Sequence, residues 1–156
     1  MIFFFLSLLF TALALWPAFS HVLEMPGKRR LSPMVWLAVQ QTLFTSFGRT
    51  LGIIESAAFL ATLVLAFLPG HNPVIAALIA FAALCLAAMP LIWGLLINPI
   101  NKRVMHLTAN ELPDDWQTTL RDRWEHLHAI RAVLAFASLS ALILACLLTA
   151  SVAQAR

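Results

Sequence analysis

Charge is what this sequence has least of. Asp, Glu, Lys and Arg make up 11% of its 156 residues, where ordinary soluble domains carry about one-quarter. Hydrophobic residues make up 62%, and mean hydropathy is +0.89. With so few charges the apolar excess needs a non-aqueous solvent. That excludes an ordinary soluble domain and predicts an integral membrane protein in a lipid bilayer. The length allows roughly four spans of about 20 residues each. No room is left for a separate soluble domain, so residues 1–156 read as a single membrane domain. Reaction signatures are absent too. There is no G-x-S-x-G, P-loop, G-x-G-x-x-G or H-E-x-x-H, so hydrolase, nucleotide and dinucleotide chemistries have no motif to rest on. Cysteine is scarce. Cys85 and Cys146 fall in different apolar runs without a CxxC partner and read as small buried apolar side chains. No internal repeat or low-complexity linker breaks the chain.

Four apolar runs stand out, at about 2–20, 50–69, 74–97 and 132–153. Each approaches or reaches the length needed to cross a hydrocarbon core of about 30 Å. The first lacks a basic leader and is longer than a signal-peptide core, so it reads as a span. The net charge of +3 matters less than its placement. Lys28, Arg29 and Arg30 form one basic group, and Lys102, Arg103, Arg121 and Arg123 another, while the 69–73 connection has neither Lys nor Arg. Basic loops beside spans are what membrane topology requires, so no nucleic-acid partner is expected. The positive-inside rule puts both basic connections in the cytoplasm. Both termini then lie outside, in a bacterial inner membrane; Arg156 alone argues the other way.

Two helices look longer than the membrane. Residues 33–68 contain no proline after Pro33, with Ser32 placed to cap, and residues 113–152 contain none after Pro113. Asp114 and Asp115 favour the start of the second. The third span should end at N-P-I-N (98–101), with Asn98 as a cap and Pro99 opening a new short helix. The predicted fold is all-α: an integral membrane four-helix bundle with two helices extending into the cytoplasm.

The few polar residues inside this bundle carry the functional question. Glu55 sits within an apolar run, where a carboxylate is costly unless paired. Arg131 and Arg49 are the available cations, and protonation is the other escape. His21 and Glu24 are spaced i,i+3, as are Glu125 and His128. Glu-x-x-His is half of the ligand set of dimetal carboxylate bundles, so His21, Glu24, Glu55, Glu125 and His128 form a candidate metal set. Imidazole with carboxylate suits iron, copper, manganese or zinc, and His21 with His128 could instead hold a haem. The same residues equally suit helix-end anchors and ion pairs. Trp124, His128 and Arg131 fall at i, i+4 and i+7, with Arg121 on the same face. They read either as interfacial anchors or as one wall of a pocket, an aromatic plane beside a base and a fixed cation. Asn98 and Asn101 read as caps or as hydrogen-bond donors to a ligand carbonyl. His71, His106 and His126 read as surface residues.

Several of these stretches together resemble the anthrone oxygenase-like family of small four-helix membrane proteins. They are S-H-V-L-E-x-P at 20–26, Glu55 in the second helix, N-P-I-N at 98–101, and W-x-x-x-L-R-x-R-W-E-x-x-H-x-x-R at 116–131. The resemblance covers nearly the whole chain. It implies an oxygenase acting with dioxygen on a flat hydrophobic phenol or anthrone, with Glu55, His128 and Arg131 catalytic and Asn98, Asn101 and Trp124 holding the substrate. The cofactor is then either none or a transition metal. Two other readings stand beside it: a metal- or haem-binding redox protein, and a non-catalytic membrane module. A transport pathway would need a homo-oligomer to line it.

Overall fold

The computed structural model describes residues 1–43 and 47–154, without the side chains of Arg49 and Ala109. Among these residues the chain is helical and contains no strand. The helices are α1 (Ile2–Lys28), α2 (Pro33–Leu43), α3 (Phe47–Phe67), α4 (Pro73–Ile92), α5 (Asn98–Met105) and α6 (Arg123–Gln154). Four stretches are long and apolar enough to cross a membrane: Ile2–Lys28, Thr50–Phe67, Pro73–Met105 and Gln117–Gln154. The protein is an all-α integral membrane bundle.

The four long helices close into a ring. α1 and α4 each pack on both α3 and α6. Alanine makes this possible, because Ala58, Ala82, Ala132, Ala135, Ala141 and Ala145 are all buried and let the backbones approach. The outward faces are equally apolar: Leu84, Leu91, Val133 and Phe136 are exposed, as lipid contact demands. Near the termini the core is Phe4, Leu65, Ile75, Ile79 and Leu142. At the other end, where the basic connections lie, the core turns aromatic, with Trp36, Trp116 and Trp124 around Ile97, Ile100 and Val104.

The ends follow local chemistry. In the 68–72 turn Gly70 takes a φ of +96°, which a side chain would resist. Asn72 then caps α4, accepting from Ile75 N–H at 2.9 Å, with Pro73 in the first turn. The Ser32 carbonyl accepts from Trp36 N–H at 2.9 Å and opens α2. Between α5 and α6 the Glu111 carboxylate accepts from Thr108 N–H at 2.9 Å and from its hydroxyl at 2.7 Å. These bonds hold the exposed Glu111 carboxyl below its usual range.

Several expected boundaries move. α1 runs on past residue 20 to Lys28, through Pro17 and Pro26, so its polar end is helical. The expected unbroken helix over 33–68 is seen as α2 and α3; residues 44–46, which would join them, lie outside the described residues. α2 packs on α5. N-P-I-N does not break the third span. Residues Trp93–Ile97 form a wide π turn and the chain continues directly into α5, with Asn98 itself helical and Ile97 at the capping position. The wide turn absorbs the mismatch that Pro99, lacking an N–H, introduces one turn later. A second π turn at Gln117–Asp122 leads into α6.

Candidate functional site

α1, α3 and α6 bring ionisable groups to the same place. Glu55 of α3 is 3% exposed and Arg131 of α6 is 3% exposed, and the guanidinium Nη2 donates directly to the Glu55 carboxylate. Each would be expensive alone at this depth; together they share a charge-assisted hydrogen bond. Of the two cations expected for Glu55, this is the one found; the Arg49 side chain lies outside the described residues.

Two imidazoles and an indole lie beside this pair. His21 of α1 packs against His128 with ring centres 4.3 Å apart and tilted, and edge-to-face against Trp124 at 4.9 Å. Trp124 and His128 are 4.1 Å apart. The i, i+4, i+7 stripe of Trp124, His128 and Arg131 therefore faces inward as one surface, because α6 keeps its helical phase there. Both histidines turn Nδ1 toward a cation: His21 toward Lys28 Nζ at 3.2 Å, His128 toward Arg131 Nη1 at 3.4 Å. Ammonium and guanidinium groups carry only donors. In a neutral ring so placed, Nδ1 is the accepting nitrogen and Nε2 carries the proton.

These residues line a cavity of about 350 Å³. Its wall also includes Asn98, Asn101, Gln40, Trp93, Gly48 and Gly52. The volume lies in the range of small-molecule sites, roughly 300–1,000 Å³. Asn101 Oδ1 accepts from Trp124 Nε1–H at 2.8 Å, which fixes the amide and leaves its NH₂ as donor. Gly48 is required by close packing, since a Cβ there would sit 2.9 Å from Trp93 Cζ2. At Gly52 a Cβ would meet nothing within 4 Å, because the cavity lies above it.

Of the nine residues expected to form a site, His21, Glu55, Asn98, Asn101, Trp124, His128 and Arg131 line this cavity, and Glu24 and Glu125 do not. Glu24 is on the surface with Lys28 Nζ at 2.6 Å. Glu125 is 1% exposed but turns to α1, accepting from Arg29 Nε at 3.1 Å. The three carboxylates of the candidate metal set are thus each neutralised by a separate cation. Among the described residues no three His, Cys, Asp or Glu side chains gather to hold a metal. Haem fails on space. Two axial imidazoles hold an iron with their nitrogens about 4 Å apart and ring centres further out. Here the ring centres themselves are 4.3 Å apart, and no porphyrin plane fits between them.

Sequence reasoning missed several contributors. Lys28 belongs to a basic run that reads as a topology signal, yet it is buried, with Nζ 5.2 Å from the Trp124 ring centre. Gln40 is 6% exposed; its only signal is a polar break in the apolar run of α2. His71 is not a bare surface residue, since its Nε2 lies 3.2 Å from Leu65 O and its ring packs edge-on to Phe4.

Four long apolar helices around a largely apolar cavity with a buried ion pair on its wall define an integral membrane bundle. The anthrone oxygenase family model matches residues 41–141, more than half of the chain, and the chain belongs to that family. The match takes in Glu55, N-P-I-N and 116–131; the S-H-V-L-E-x-P stretch of α1 lies before it. No curated protein and no solved structure matches the chain.

Proposed function

We propose that the protein is a membrane oxygenase that oxidises a flat, hydrophobic anthrone or phenol with dioxygen, inside the cavity between α1, α3 and α6. The observation that carries this reading is the buried Glu55–Arg131 pair on the cavity wall, beside the His21 and His128 imidazoles.

Glu55 is the base. It is an acceptor-only group on the wall, whereas His128 has its accepting nitrogen turned to Arg131. The carboxylate takes a proton from the benzylic carbon of the anthrone. The electron pair delocalises onto the ring oxygen, and Arg131, the His128 imidazole and the Asn98 and Asn101 amides stabilise that oxyanion. Fixed donors of this kind need no reorganisation as charge develops. The carbanion transfers its electrons to dioxygen and a C–O bond forms. The peroxide takes the proton back from Glu55 and loses water to leave the quinone carbonyl. The balance is one anthrone and one dioxygen to one anthraquinone and one water. Trp124 and Trp93 offer flat apolar faces for the rings.

Quinone absorbance and oxygen uptake, followed with anthrone and purified protein in mild detergent, test this. Glu55→Gln should lower turnover at least about 100-fold, the lower range for a lost general base. Gly52→Leu should lower turnover by placing bulk at the cavity wall, where an added Cβ meets nothing within 4 Å. Wild-type rates in Glu55→Gln and His128→Ala together would refute the site.

A further inference from the structure

We propose that Gln40 is a specificity-determining residue. Its side-chain amide donates a hydrogen bond to an oxygen of the bound molecule and selects ligands that carry one there over oxygen-free molecules of the same shape. This deepens the reading above and rests on it.

The buried face of α2 consists of Trp36, Leu37 and Gln40. The first two belong to the aromatic core, where Trp36 packs on Trp116 with ring centres 5.2 Å apart. Gln40 continues the same face one turn on, but at the cavity wall. It is 6% exposed, and its Nε2 has no hydrogen-bond partner among the described residues. A buried amide without a partner is a net cost that leucine or methionine at this position would avoid. The neighbouring residue shows what the sequence does with a glutamine whose role is structural. Gln41 Nε2 donates to the carbonyls of both Val104 and Leu107 at 2.9 Å each, pinning α2 to the end of α5. One glutamine is thus fully engaged in holding the helix. The other lines a cavity large enough for a small molecule with its donor unspent, and a turn of its side-chain amide brings that donor to a ligand.

The rest of the wall indicates the oxygen this donor serves. Arg131 and His128 of α6 and the Asn98 and Asn101 amides of α5 are claimed by the developing oxyanion. Gln40 comes from α2, an element that supplies none of those groups. Its partner is accordingly a second oxygen, a neutral carbonyl or hydroxyl on the ring system. A site with a buried donor rejects a ligand that leaves the donor unpaired far more strongly than it rejects a change in apolar bulk.

The test is a binding comparison in detergent between wild type, Gln40→Met and Gln40→Leu. The probes are 1,8-dihydroxyanthrone, anthrone and 9,10-dihydroanthracene, which share one outline and differ in oxygens. Quenching of the tryptophans on the cavity wall reports occupancy, and thermal unfolding of the ligand-free protein is measured in parallel. Both variants should bind the dihydroxy compound on the order of tenfold more weakly, as for one lost hydrogen bond. They should bind dihydroanthracene no worse than wild type, and their ligand-free unfolding temperature should be unchanged or higher. Equal affinity of wild type and both variants for all three probes overturns the proposal. So does an equal loss for all three with a lower unfolding temperature, which marks a structural role. Failure of wild type to bind any of the three overturns the oxygenase reading, and this one with it; normal anthrone turnover with an unchanged probe ranking in the variants overturns this one alone.

Discussion

Glu55 and Arg131 illustrate how single residues are tolerated at this depth. A lone charge near the centre of a span costs about 2.5–3.5 kcal/mol on insertion scales. The pair relieves this only while both members are present. Glu55→Gln should therefore destabilise the bundle by about 3–5 kcal/mol, because it strands the Arg131 charge. The double variant Glu55→Leu/Arg131→Met should recover most of that loss, since an apolar pair of similar volume is often as stable as the ion pair it replaces. Denaturant titration in detergent measures both. Equal stability of the single variant and wild type would mean that the pair is not the buried contact described above. The double variant also separates folding from chemistry, as it should be folded and inactive. At this scale the sequence was partly legible. A glutamate inside an apolar run announces itself, and the i, i+4, i+7 stripe on α6 needs only helical phase. Glu125 was not legible, because Glu-x-x-His spacing places two residues on one helix side without saying which neighbour each meets; Arg29 meets Glu125, while His128 meets His21. Gln40 and Gln41 are adjacent and chemically identical, and only the position of α5 distinguishes them.

Among the elements, the π turn at Trp93–Ile97 decides which residues reach the site. The Asn98 N–H reaches back to Trp93 O, five residues earlier, so this turn holds one residue more than an α turn. An extra residue would rotate everything beyond it by about 100° in a regular helix. The wide turn absorbs it, and Asn98 and Asn101 stay on the cavity wall. Deleting one residue inside the turn should therefore convert it to an ordinary helix and leave both asparagines in place. Leu95 is the residue to delete, since it is 71% exposed and faces lipid. Deleting Ala80, also exposed but within regular α4, should throw the rest of the span out of phase. Membrane yield and thermal stability of the two deletions are the readout. Equal damage from both would show that the π turn stores no spare residue. Helix existence was legible from the apolar runs, because length in lipid leaves few alternatives to a helix. Helix ends were not. Proline reads as a stop in water, whereas here Pro17, Pro26 and Pro90 all lie inside helices.

For the whole molecule, the ring of helices places like with like. The connections at 29–32 and 106–116 lie at one end of the bundle, and the 68–72 turn, the start of α1 and the end of α6 at the other. Lys28, Arg29, Arg30, Lys102, Arg103, Arg121 and Arg123 thereby collect at a single end. The cavity belongs to that end too, since Asn101, Met105 and Trp124 line it. Topology and site are consequently one question, because the side of the membrane that receives the basic end also receives the mouth nearest the reacting groups. Short basic connections stay on the cytoplasmic side. Alkaline phosphatase fused after residue 154 should then be active in a bacterial host, and inactive when inserted in the 106–112 connection. Fluorescent-protein fusions at the same two points should give the opposite pattern. If the phosphatase results reverse, the lysines and arginines do not govern insertion of this bundle. The Lys28–Glu24 and Arg29–Glu125 pairs would supply the reason, because a basic residue held by a carboxylate on its own bundle no longer acts as a free charge at the membrane face.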